Sequence, residues 1–263
     1  MHPTQSDVDG VAEKAGDLAR RGFLAVCMDC RYHGARSGPS VARRDPAAYQ
    51  RALVAAWRGS GERPFLLDNV RDLLTLADYL ELHGPGLGAD PARLGVTGVS
   101  LGGMHSWLWA VADTRVKAAA PIIGVQGFKY ALENDCFHGR VSSLPILFAA
   151  AAKDLDPERQ RITSAVVRAV WDKLLPGLLE EYDAPRSLPA IAPRSLLVVS
   201  GAQDPRCPIK GVYAAMQAAM LEYDELGAED ALDLIVEEET AHECTPTMWS
   251  AVLDWLQSAL AAK

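Results

Sequence analysis

Cysteine is scarce and odd in number, five in 263 residues. Only Cys27 and Cys30 stand close together, and no second pair follows, so the spacing supplies neither a zinc framework nor a disulfide scaffold. Cys27-Met28-Asp29-Cys30 has the C-x-x-C spacing of a redox centre. It closes an apolar run instead of opening a helix, where low-pKa thiols sit, and so reads as structural. Positive charge is also in deficit, with 26 Lys and Arg against 34 Asp and Glu and a net charge of −8. No basic stripe offsets it, which argues against nucleic acid and acidic membrane surfaces as partners. The longest apolar stretches, such as 118–125, fall far short of the roughly 18–20 residues a membrane span needs. Met1 to Asp7 has neither the basic region nor the apolar stretch of a secretory signal, and the expected location is cytoplasmic.

What is present suits a globular protein: 49% of residues are apolar and 23% charged, with no linker, repeat or low-complexity tract to divide them. One α/β domain over 1–263 is the expectation. Continuous aliphatic runs at 23–29, 94–99, 118–124, 196–201 and 232–237 read as strands buried on both faces of a mostly parallel sheet, because helical patterns fill the gaps. In 8–21, Val11, Ala15, Leu18 and Ala19 recur at helical intervals before Gly22. In 69–82, Val70, Leu73, Leu74, Ala77 and Leu80 do the same before Gly84-Pro85-Gly86. Thr245 and Pro246 open a last helix with Trp249, Val252, Leu253, Leu256 and Leu260 along one stripe. The stretch 125–193 is too long for a simple connection. Helical spacing over 159–179, with Phe128, Tyr130, Phe137 and Trp171 as bulk, marks it as a helical insertion, either a substrate lid or a decoration with its own small core.

The chemistry centres on Gly98-Val99-Ser100-Leu101-Gly102-Gly103. An apolar strand precedes Ser100, and Leu101, Met104, Leu108 and Val111 share one side of a helix that follows it. A serine on so tight a turn is lifted to the carboxyl edge of the sheet, and the glycines leave space around it. The N–H of Leu101, at the helix start, points where an oxyanion would form. Serine needs a base, and the base needs a carboxylate to orient it. Asp204 lies just beyond the strand 196–201, and His242 lies beyond 232–237, the only histidine after Asp204. Three strand ends thus offer Ser, Asp and His in that order. The competing structural reading has Asp204 capping a turn before Pro205 and His242 as a surface residue. His105, on the helix after Ser100, and His33, in a turn with Gly34, fit no catalytic role as well. No ligand spacing suggests a metal, and no cofactor is expected.

Together with Asp29-Cys30-Arg31-Tyr32-His33-Gly34, 123–128, 191–194 and Gly201-Ala202-Gln203-Asp204-Pro205-Arg206-Cys207-Pro208, these motifs resemble the α/β-hydrolase superfamily, in its dienelactone-hydrolase and prolyl-oligopeptidase-like esterase branch. The resemblance covers nearly the whole chain. It implies Ser100 as nucleophile, His242 as general base and Asp204 as the orienting acid of a serine esterase acting on a small-molecule ester through an acyl-enzyme. It also implies three opening strands that this chain lacks, as in an N-terminally truncated form. His2-Pro3-Thr4 is similar to the end of the loop that carries the second oxyanion donor, which places that role on the Thr4 N–H. The lost third strand would leave a gap between 23–29 and 94–99, and open strand edges encourage homo-oligomers. A non-catalytic ligand-binding or scaffold protein of the same fold is the competing expectation.

Overall fold

The structure is a computed structural model that describes residues 1–38 and 45–261. Helices α1 (Ala12–Arg20), α2 (Ala48–Trp57) and α3 (Leu67–His83) precede the first strand, β1 (Leu94–Val99). Helix α4 (Leu101–Ala112) then leads to β2 (Val116–Ile122), and helices α5 (Phe128–Glu133), α6 (His138–Ser143), α7 (Pro145–Leu155), α8 (Ser164–Leu174) and α9 (Ala184–Ser187) separate it from β3 (Ser195–Gly201). Helix α10 (Ile209–Glu225), β4 (Leu232–Glu237) and α11 (Pro246–Ala259) complete the order. The strands pair as β1-β2-β3-β4, all parallel.

Alternate strand residues enter two cores. Ala119, Leu196 and Val198 join Leu73, Leu108 and Val212 of α3, α4 and α10 on one face. Ala118, Ala120, Ile122, Leu197 and Val199 join Met248, Val252 and Leu256 of α11 on the other. Helices on both faces explain why these strands are apolar without alternation. Thr245 caps α11 as its sequence suggested, its hydroxyl accepting from Met248 N at 3.1 Å with Pro246 next in the chain.

The run at 23–29 is a correction: it forms no strand. A strand requires a bonded neighbour, and the space between this run and β1 is a cleft of about 730 Å³. Leu24 and Val26 are consequently 46% and 44% exposed. Met1 meets β1 there. Its amine donates to Thr97 O at 2.8 Å, and its carbonyl accepts from Val99 N at 3.3 Å. These are the two bonds of a parallel bridge centred on Gly98.

The helix expected over 159–179 is also corrected, to α8 and, beyond a break, the start of a π-helical turn at Leu178–Tyr182. Thr163 has extended backbone and caps the start of α8, accepting from Val166 N at 3.4 Å. Pro176 and Gly177, the latter at φ 86°, close the other end. Trp171 stacks on Phe65 at 5.6 Å and meets the edges of Phe128 and Phe148, each at 5.3 Å. The insertion therefore shares its apolar interior with the face of the sheet that carries α3 and α4. Among the described residues no helix is long and apolar enough to cross a membrane, and all five cysteines are free thiols.

Candidate active site

Ser100 occupies the one-residue turn between β1 and α4 with φ 57° and ψ −110°. A non-glycine residue there costs about 1–3 kcal/mol and persists only when its surroundings enforce it. Here the Ser100 N–H donates to Ile122 O and its carbonyl accepts from Met104 N, both at 2.9 Å. Close packing accounts for the flanking glycines. A Cβ on Gly98 would fall 2.5 Å from the Gly102 carbonyl oxygen, and one on Gly102 would collide with the carbonyl of Met1.

The loops after β3 and β4 are fastened to each other. Ala202 N donates to Glu237 O and Gln203 N to Thr240 O, both at 2.9 Å, and a side chain at Gly201 would strike the carbonyls of Thr240 and Ala241. This apposition brings Asp204 and His242 together. Nδ1 of His242 lies 2.7 Å from Asp204 Oδ2, and its Nε2 lies 2.8 Å from Ser100 Oγ. A carboxylate can only accept, so Nδ1 carries the proton and Nε2 is free to accept from the serine hydroxyl. The other carboxylate oxygen accepts from Arg206 N at 2.7 Å and Cys207 N at 3.1 Å, which fixes its plane.

Ser100 and Asp204 are buried, and the His242 side chain is only slightly open to solvent. Burial pushes the Asp204 carboxyl up, but its bond to His242, the charge of that ring and the two loop N–H groups prevail and hold it below its ordinary value. For His242 burial dominates and lowers the pKa, against the raising influence of Asp204. Both shifts favour a neutral imidazole beside an ionised carboxylate at pH 7.

Leu101 opens α4, so its N–H has no acceptor within the helix. Thr4 lies in a half-buried turn that Ser6 N closes on Pro3 O, three residues beyond the Met1 bridge. His105 is buried away from solvent, with Nε2 3.2 Å from Phe65 O and Nδ1 3.6 Å from Cys30 Sγ. His33 places Nδ1 3.0 Å from Arg31 O. Among the described residues, one group has metal-ligand spacing: Asp204, Cys207 and His242, whose donor atoms lie within 4.8 Å of one another. That donor set suits a metal poorly. Nδ1 of His242 is committed to Asp204, and the Cys207 thiol, pushed far up by burial, donates to Ile123 O at 3.3 Å.

Sequence reasoning missed a second polar group beside these residues. Arg140 on α6 is 4% exposed and donates through Nε and Nη2 to Gln126 Oε1, at 3.1 and 2.9 Å. Tyr49 on α2 is also buried, and among the described residues its hydroxyl has no partner. No motif marks these positions. Only the missing counter-charge and missing acceptor distinguish them, and both appear only in three dimensions.

A parallel sheet with helices on both faces and Ser, Asp and His beyond the ends of β1, β3 and β4 has the α/β-hydrolase fold, and solved structures of that fold match almost the entire chain. TT1662 from Thermus thermophilus is 20% identical, with a TM-score of 0.61 over 100% of this chain and 88% of its own. Acetyl xylan esterase 1 from a Thermoanaerobacterium species is 18% identical, with a TM-score of 0.64 over 99% of this chain and 73% of the esterase. A 2,6-dihydroxy-pseudo-oxynicotine hydrolase is 17% identical, with a TM-score of 0.55 over 99% of this chain and 59% of that enzyme. No protein-family model matches the chain, and no curated protein matches it in sequence.

Proposed function

We propose that this protein is a serine hydrolase that cleaves carboxylic esters through Ser100, His242 and Asp204. The observation that carries the reading is the unbroken chain of hydrogen bonds from Ser100 Oγ through the imidazole to Asp204, 2.8 and 2.7 Å long. Three side chains from separate strand ends, with the ring in the tautomer that accepts a hydroxyl proton, are what nucleophilic acyl transfer requires. Two of the proteins that share the fold carry esterase and hydrolase in their names.

In the first step Ser100 Oγ adds to the ester carbonyl while its proton passes to His242 Nε2. The Leu101 N–H, with that of Thr4 as the second donor, receives the negative oxygen. Collapse breaks the bond to the alkoxy oxygen, which leaves as an alcohol with the proton from Nε2. Water then gives a proton to Nε2 and attacks the acyl carbonyl, and the acid departs as Ser100 recovers its proton. Asp204 stays ionised throughout and stabilises the transient imidazolium.

A fluorophosphonate probe tests this directly. Stoichiometric labelling at Ser100, abolished in Ser100→Ala, together with turnover of short-chain 4-nitrophenyl esters is the expected result. A folded protein that neither labels nor turns over these esters would overturn the proposal.

A further inference from the structure

Arg140 is a cation taken out of water without an anion to meet it. Among the described residues no carboxylate lies within ion-pair distance of its guanidinium. Its two bonds go to one neutral amide oxygen, which leaves three of its five N–H groups to find other acceptors. An isolated buried charge is expensive, and buried charges are as a rule paired.

The position of this cation is set by the same elements that carry the proposed chemistry. Gly139, the preceding residue, packs so closely on Pro205 that a Cβ would collide with its carbonyl, which ties α6 to the loop of Asp204. Gln126, which holds the guanidinium, leaves β2 at the carboxyl edge of the sheet and reaches Met104 Sδ on α4 at 3.9 Å, one turn beyond Ser100. The charge of Arg140 acts on both Asp204 and the Tyr49 phenol. That phenol oxygen is itself buried and, among the described residues, unpaired. Beside it, at 4.3 Å between rings, His33 has an equally unpaired Nε2. Its Nδ1 faces a carbonyl and therefore holds the proton. The Arg140 guanidinium, the Tyr49 hydroxyl and the His33 ring are thus three buried polar groups, the last two with an atom that finds no partner among the described residues.

We propose that Arg140 and the Tyr49 hydroxyl bind a carboxylate of the substrate, so that the preferred esters are half-esters of dicarboxylic acids. The proposal rests on the esterase reading above. The guanidinium supplies two parallel N–H bonds to the carboxylate, the geometry arginine fits better than lysine, and the phenol supplies a third donor. Closure of this contact neutralises the buried charge and anchors the end of the substrate remote from Ser100.

The experiment compares monoethyl succinate, glutarate and adipate with the matching ethyl esters whose free acid is a carboxamide. For at least one chain length, kcat/KM of the acid should exceed that of the amide by about tenfold or more. This acid-to-amide ratio should fall to near one in Arg140→Gln, survive in part in Arg140→Lys, and drop severalfold in Tyr49→Phe. A wild-type ratio of one or below at every length, with the amides turned over, sinks the carboxylate site while leaving the esterase reading intact, and it requires no variant to fold. Calorimetric titration of Ser100→Ala with free glutarate and adipate provides a readout independent of turnover. Binding that is lost when Arg140→Gln is added supports the site even if the chain proves inactive. Absence of binding by both diacids overturns it.

Discussion

His242 sets the pH response at the level of single residues. Burial lowers its pKa from the ordinary 6.5, and only the neutral ring can take the Ser100 proton. Activity should therefore rise as pH increases through an inflection on the acid side of 6.5 and be level at neutrality; kcat/KM measured between pH 4.5 and 8 checks this. An inflection above 7 would show that the imidazole is held protonated, contrary to the geometry. Asp204→Asn preserves the shape of the loop, but an amide can present its N–H₂ to Nδ1 and favour the wrong tautomer. A loss of about 10⁴ in kcat with little change in stability is expected. These three residues were legible in the sequence because each follows an apolar strand and the order of strand ends is fixed by the chain. The Arg140 and Tyr49 pair was not, because a buried charge announces itself by what fails to surround it.

Elements show why some strands could be read from composition and one could not. Apolar continuity identifies a segment that seeks burial on two faces, as 94–99 and 196–201 do; it does not specify whether a partner is there to bond. At 23–29 the residue pattern of a strand is intact while the ladder is absent, because a cleft separates it from β1. The same cleft leaves the outer edge of β1 open. Gly95 and Thr97 are half-buried there, whereas Val96 and Gly98 are buried toward β2. In hydrogen exchange the amides of Gly95 and Thr97 should exchange much faster than those of Val96 and Gly98. Equal protection along β1 would mean that the edge is covered. Arg194 illustrates a different kind of fixation. Its Nη1 donates to the carbonyls of Ala110, Asp113 and Val116 at 2.7, 3.1 and 2.9 Å, binding the end of α4 to the start of β2. Arg194→Met strands those carbonyls and should lower unfolding stability by about 3 kcal/mol, read as a shift in the urea midpoint at unchanged slope.

The whole molecule carries its histidines in a way that makes the fold acid-sensitive well above the pH at which carboxylates titrate. His105 is fully buried and His33 nearly so, and burial holds their pKa values at about 3 and about 4 against an ordinary 6.5. His2 and His242 are lowered too, again chiefly by burial. Below pH 6.5 the unfolded chain takes up protons that the folded chain refuses, so each ring contributes stability that is complete above 6.5 and is lost progressively toward its folded value. Between pH 6.5 and 5 the loss is about 2 kcal/mol for each of His105 and His33. Carboxylates lowered by ion pairs, such as Asp72 beside Arg31 and Arg36, add their share only at more acid pH. The urea midpoint should accordingly fall from pH 7 to pH 5, and the fall should be shallower in His105→Gln, whose amide can still donate to Phe65 O while having no proton to gain. A midpoint that is flat over that range would mean that these rings are solvated in the folded protein, and with them the packing of α3 and α4 around Phe65 would have to be redrawn.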